Sequence, residues 1–134
     1  MAKRLFTSFV VFIMMLVMAI PVFASAYQQT ITLPANQVWV QAGDIDRSGD
    51  FSYIRAKCHS VFPGSGLDLF YTIQCRLVNS SGTEVSNAYS LDERDSDYTN
   101  IYIKEGYLST SPVYVQFRGN SNAKAYATVS YYGK

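Results

Sequence analysis

Beyond Tyr27 the apolar and polar residues alternate with a period of two over much of the chain, as strands with one buried face do. In Asp68–Val78 the apolar set is Leu69, Tyr71, Ile73, Cys75 and Leu77, against the mixed, mostly polar set Phe70, Thr72, Gln74 and Arg76. In Phe51–Cys58 the set Ile54, Ala56 and Cys58 opposes one carrying Arg55 and Lys57, although Phe51 and Tyr53 lie on that charged side. The inward sets of the last three strands are Thr99, Ile101, Ile103 in Tyr98–Lys104, Val113, Val115, Phe117 in Pro112–Arg118, and Ala125, Ala127, Val129, Tyr131 in Lys124–Tyr132. Further strands are expected at Gln29–Leu33, Gln37–Gln41 and Glu84–Leu91.

Turn signals separate these strands: Pro34-Ala35-Asn36, Asp46–Gly49, Pro63–Gly66, Asn79–Gly82, Glu105-Gly106 and Gly119–Asn122. Hairpins are expected at Asn79–Thr83 and Gly119–Ala123. Short strands at this spacing, with no segment of helical period after Tyr27, predict an all-β fold: a small antiparallel β-sandwich of about eight strands, or a small barrel. Trp39, flanked by Val38 and Val40, is expected in the core or as an edge plug, with its direction not fixed by pattern.

The first 26 residues have the organisation of a signal peptide, with Lys3 and Arg4, an apolar helix-forming run Leu5–Ile20, Pro21, and the small-x-small site Ala24-Ser25-Ala26. Cleavage after Ala26 would leave residues 27–134 as a single secreted domain, extracellular or periplasmic, touching a membrane only during export. An uncleaved anchor is the rival reading, since Leu5–Ala24 is just long enough to cross a bilayer. Losing Lys3 and Arg4 from 11 basic residues leaves 9 against 10 acidic, a net charge of −1. That near-neutrality argues against nucleic acid as a partner.

An exported chain with two inward cysteines, Cys58 and Cys75, is expected to carry one disulfide. It would contribute about 3 kcal/mol in the chain-entropy model. Buried free thiols are the alternative. A structural zinc site lacks its fourth ligand, because His59 is the only histidine.

Three stretches carry candidate chemistry. In Asp44–Asp50, oxygen-bearing Asp44, Asp46, Ser48 and Asp50 alternate, with Gly49 sixth, as at the start of an EF-hand-type calcium loop. The pattern fails at Arg55, where a bidentate Glu belongs. Ca²⁺ is therefore a possible cofactor but not a required one, and turn geometry alone accounts for the same residues. The run Asp92–Asp97 holds four carboxylates, Asp92, Glu93, Asp95 and Asp97, that could complete a calcium site or supply an acid/base pair, or form only a solvated loop.

The third is a tyrosine stripe. The non-core positions of the last three strands hold Tyr102, Tyr114 and Tyr126 among polar groups that include Gln116 and Arg118. Aromatic rings beside hydrogen-bonding groups suit sugars, peptides or a protein partner, while cross-strand pairing alone would also place them there. The overall style is similar to many small secreted bacterial proteins, some of them bacteriocins with a β-sandwich fold. The expectation is a secreted, non-catalytic binding module for a cell-envelope polysaccharide or an extracellular protein, with a bacteriocin-like antimicrobial as the alternative.

Overall fold

A computed structural model describes residues 28–47, 52–63 and 71–133. The expected signal peptide, and Ser48 and Asp50 of the calcium-like loop, lie outside these residues. Eight strands form two antiparallel four-stranded sheets that enclose one core, a β-sandwich as expected. The strands are β1 (Gln29–Leu33), β2 (Val40–Ile45), β3 (Tyr53–Pro63), β4 (Thr72–Val78), β5 (Tyr89–Asp92), β6 (Thr99–Tyr102), β7 (Val113–Gly119) and β8 (Ala125–Gly133). One sheet runs β1-β8-β3-β6 and the other β2-β7-β4-β5. A short 3₁₀ turn, Glu105–Tyr107, follows β6.

The inward sets are those the alternation predicts, except that Tyr71, read as inward, precedes β4 and is exposed, while Leu69 lies outside the described residues. Ile54, Ala56, Cys58, Ile101, Ala125, Ala127 and Val129 come from the first sheet, and all are buried. Ile73, Cys75, Leu77, Leu91, Val113, Val115 and Phe117 meet them from the second. The first sheet contributes three alanines where the second contributes Phe117, so volumes complement across the gap. Tyr131 also points inward from β8 and reaches toward β2. A Cβ at Gly43 would stand 2.2 Å from its hydroxyl, which explains a glycine at the irregularity between Gln41 and Gly43.

Several boundaries differ from expectation. Asn36 and Gln37 are left-handed (φ 66° and 56°), so the turn begun at Pro34 lasts longer and β2 starts at Val40. β3 runs on to Pro63 through a bulge between Cys58 and Ser60. Within the expected strand Glu84–Leu91 only Tyr89–Leu91 lies in β5. Upstream, Glu84 bridges Val78 of one sheet and Ser86 bridges Ile103 beside the other, so this segment crosses the sandwich end. The Asn79–Thr83 turn closes as expected, with Asn79 Oδ1 accepting from Ser81 and Thr83 N–H. Gly119–Ala123 makes no hairpin, because β7 and β8 belong to different sheets and the turn arches between them.

The expected disulfide is absent: Cys58 and Cys75 are both buried and both free. A disulfide needs Cα atoms within about 7 Å, whereas stacked sheets lie about 10 Å apart. Facing thiols can therefore bond only where they are directly opposed and the sheets approach closely. Alternation tells which face a residue occupies and nothing about that alignment. Cys58 lies opposite Val129 in one sheet, Cys75 between Phe117 and Tyr89 in the other. The Cys58 thiol contacts its neighbour's backbone, Ser60 O, at 3.7 Å. Burial holds both thiols protonated, pushing Cys58 up to about 12 and Cys75 higher. The folded chain should therefore leave an aromatic disulfide reagent unreacted at pH 8, and two thiols per chain should titrate once it is unfolded without reductant. Zero thiols after unfolding would mean that a disulfide had formed.

Candidate functional site

Because the sheets are antiparallel and in register, the outward residues form a grid on each face. On the β1-β8-β3-β6 sheet, Tyr53 lies beside Tyr102, Arg55 between Asn100 and Tyr132, and Phe62 beside Tyr126, which in turn faces Thr32. Thr30 and Thr128 pair through their hydroxyls at 3.1 Å. Five tyrosines (Tyr53, Tyr98, Tyr102, Tyr126 and Tyr132) and Phe62 thus share one outer face. Three of these rings are well exposed: Phe62 at 63%, Tyr102 at 49% and Tyr126 at 39%.

The rings are held by neighbours rather than hanging free. Tyr53 and Tyr102 pack at 5.5 Å between centroids, and Tyr98 meets Tyr132 edge-on at 5.1 Å. Arg55 donates to Asn100 Oδ1 (3.1 Å) and to the Tyr132 hydroxyl (3.2 Å). Lys57 donates to Ser96 O, and Lys124 lies 5.5 Å from the Tyr126 ring centre. Ser130, fully buried in the middle of this face, has His59 Nε2 at 2.7 Å and the Tyr98 hydroxyl at 2.9 Å.

Alternation alone puts His59 on the outer face, beside the inward Cys58, and does not bring it to Ser130. The bulge after Cys58, which no residue pattern announces, turns the ring toward β8. Their spacing is that of a nucleophile and its base. Ser130, however, has no exposed surface, and His59 Nδ1 faces the Gln28 amide at 3.4 Å rather than a carboxylate. The arrangement ties β3 and β8 to the segment leading into β6 and satisfies a buried hydroxyl.

The predicted stripe is divided by this topology. Tyr102 and Tyr126 are on the face just described, on β6 and β8 with β3 between them. Tyr114, Gln116 and Arg118 are on β7, facing outward from the opposite sheet. There Trp39 is an outward residue, half-buried, with the Arg76 and Arg118 guanidinium groups 4.2 and 4.5 Å from its ring centre. Arg76 also donates to Gln116 (2.9 Å) and pairs with Glu84, and Arg118 donates to Gln74 (2.5 Å). Gln116 and Arg118 are therefore engaged within the sheet, and the indole is covered.

Of the acidic stretches, only Asp92 and Glu93 are held by side-chain hydrogen bonds among the described residues. Asp44 is exposed on β2 opposite Tyr114, and Asp46 is exposed just past the strand end. Arg47, next in line, donates to the carbonyls of Leu108 (2.6 Å) and Thr110 (3.1 Å), securing the loop before β7. Asp92 accepts two bonds from the Arg94 guanidinium (2.7 and 2.9 Å), and Glu93 accepts the Val61 N–H at 2.7 Å. Asp95 and Asp97 stay exposed. Among the described residues no group of three or more His, Cys, Asp or Glu converges as a metal site would require.

Hydrogen bonds from Arg94 hold the Asp92 carboxyl down at about 2, while burial and nearby Lys57 lower His59. Both shifts make the folded chain bind fewer protons than the unfolded one. Stability should therefore fall as pH drops below the ordinary histidine value of 6.5, and again between 3.8 and about 2. In urea melts across pH, Asp92→Asn should flatten the second fall; a variant that parallels the parent would refute that assignment. Ser130→Ala should cost about 1–3 kcal/mol, since His59 and Tyr98 each lose a partner. An unchanged urea midpoint would count against the relay.

No protein-family model, curated protein or solved structure matches the chain, so the chemistry of its two faces is what bears on function.

Proposed function

We propose that the chain is an exported, non-catalytic binding module whose β1-β8-β3-β6 face takes an extended polysaccharide of the cell envelope. The observation that carries this reading is the concentration of rings on one flat face: five tyrosines and Phe62, alternating with hydrogen-bonding side chains. From the Tyr53–Tyr102 pair to the Phe62–Tyr126 pair the face runs about 27 Å, at about 3.4 Å per residue. That length accommodates several sugar rings in a row.

The chemistry favours a glycan over a protein. A protein interface centres on a desolvated apolar patch. Here every ring except Phe62 carries a hydroxyl, and Asn100, Thr30, Thr128 and Arg55 stand between the rings. A sugar offers an apolar ring face for stacking and hydroxyls at its rim, which is the same alternation. Tyrosine supplies such area at low conformational cost, because the neighbours already fix its rotamer.

Sedimentation with insoluble cell-wall polysaccharide is the direct test. The parent should co-sediment and leave target cells viable, and Tyr102→Ala and Tyr126→Ala should each weaken retention about fivefold or more. Tyr114→Ala, on the opposite sheet, should leave it unchanged. Equal losses at all three positions would contradict the face assignment. Killing of cells by the purified protein would point instead to a bacteriocin-like role.

A further inference from the structure

The rings of the β1-β8-β3-β6 face are interleaved with positive charge, and no carboxylate is among the described residues that point outward from its strands. Arg55 lies by Tyr132, Lys57 by Tyr98, at 6.0 Å from its ring centre, and Lys124 over Tyr126. Of the described acids, Asp44 is on β2, Glu84 is against Arg76, and Asp92 and Glu93 are at the end of β5. Asp95 and Asp97 flank Ser96, whose carbonyl takes the Lys57 ammonium, so they stand at the edge of this face, where Asp97 adds to the Tyr132 hydroxyl in raising Arg55. Both ion pairs among the described residues, Arg76–Glu84 and Asp92–Arg94, involve neither Arg55, Lys57 nor Lys124. The described outward positions of these strands thus carry cations and no acid, with the Asp95–Asp97 loop at their edge.

Among the described residues none of these three cations is in an ion pair, though Asp97 stands near enough to Arg55 to add to its raised pKa after the Tyr132 hydroxyl. Arg55 has given two donors to Asn100 and Tyr132, Lys57 one to Ser96 O, and Lys124, among the described residues, meets the Tyr126 ring. Each still has N–H groups for an incoming anion, and such charge-assisted bonds are about twice as strong as neutral ones. The cations follow the aromatic stations along the whole face, so an anionic group repeating along a ligand would meet them in turn.

We infer that the polysaccharide is acidic, a chain bearing anionic groups on its sugars, with Arg55, Lys57 and Lys124 as the residues that select it. The inference rests on the glycan-binding reading above and adds the ligand's charge. Single-stranded nucleic acid shares the requirement for rings and cations, but three cations along about 27 Å are sparse for one phosphate per nucleotide.

Binding should be measured for the full chain against polygalacturonate, alginate and hyaluronate, each beside its methyl ester, with a neutral glucan and polyuridylate as further probes. The expected result is retention of at least one acidic polymer, a loss of tenfold or more on esterification, and weakening from low salt to about 0.15 M. Lys124→Gln, at an exposed position before β8, should weaken that binding about tenfold, and Arg118→Gln on the other face should not. Equal binding of acid and ester, or binding of the glucan alone, would overturn the charge selection and leave the aromatic face standing. Retention of no glycan would overturn both, and tighter binding of polyuridylate would replace the glycan with nucleic acid.

Discussion

The register of β8 within its sheet is the constraint from which the rest follows. β8 lies between β1 and β3, pairing with β3 along its length and with β1 over Ala125–Val129. Its alternation sends Ala125, Ala127 and Val129 into the core and Tyr126, Thr128, Ser130 and Tyr132 outward. A slip of one residue would exchange these sets, burying hydroxyls without partners and exposing aliphatic side chains. Burial of the inward residues in the core shared with the facing sheet, where Tyr131 meets Phe117, opposes that slip and thereby sets the positions of the outward rings. The face is a by-product of the core only in its spacing; its residue types are a separate choice.

The two faces answer that choice differently. Around Trp39 the β2-β7-β4-β5 sheet closes on itself: guanidinium groups cover the indole, glutamines accept from arginines, and Glu84 neutralises Arg76. Such a ladder stabilises the sheet and leaves few unused donors. The other face stops short of closure. Its rings are oriented by edge contacts and by one buried hydroxyl, yet Phe62, Tyr102 and Tyr126 keep exposed surface, and the nearby cations are in no ion pair among the described residues. Rigid side chains with unspent contacts are what a binding face requires, since little ordering remains to be done on association.

Much of the fold was legible because period-two alternation is local. Ile101 and Ile103, or Val113, Val115 and Phe117, declare their inward face without reference to any other strand. What alternation cannot carry is which strand lies beside which. Tyr102, Tyr114 and Tyr126 read as one stripe because β6, β7 and β8 are consecutive, yet the chain changes sheets on either side of β7. The arch at Gly119–Ala123 uses the same Gly, Asn and Ser as a hairpin would, so its residues do not betray the change. The cysteines failed for a related reason: both point inward, as read, but their alignment across the core is a long-range property. His59 beside Ser130 depended on a bulge, and Trp39 between two valines had no periodic signal at all.

If the tyrosine face binds and the Trp39 face does not, residue-resolved NMR will separate the two. In spectra of the isotopically labelled chain titrated with an acidic polysaccharide, the account predicts shifts at Tyr102, Arg55, Tyr126 and Tyr132 and a stationary Trp39 indole signal. Shifts centred on Trp39, Tyr114 and Arg118, with the tyrosine face unmoved, would contradict it.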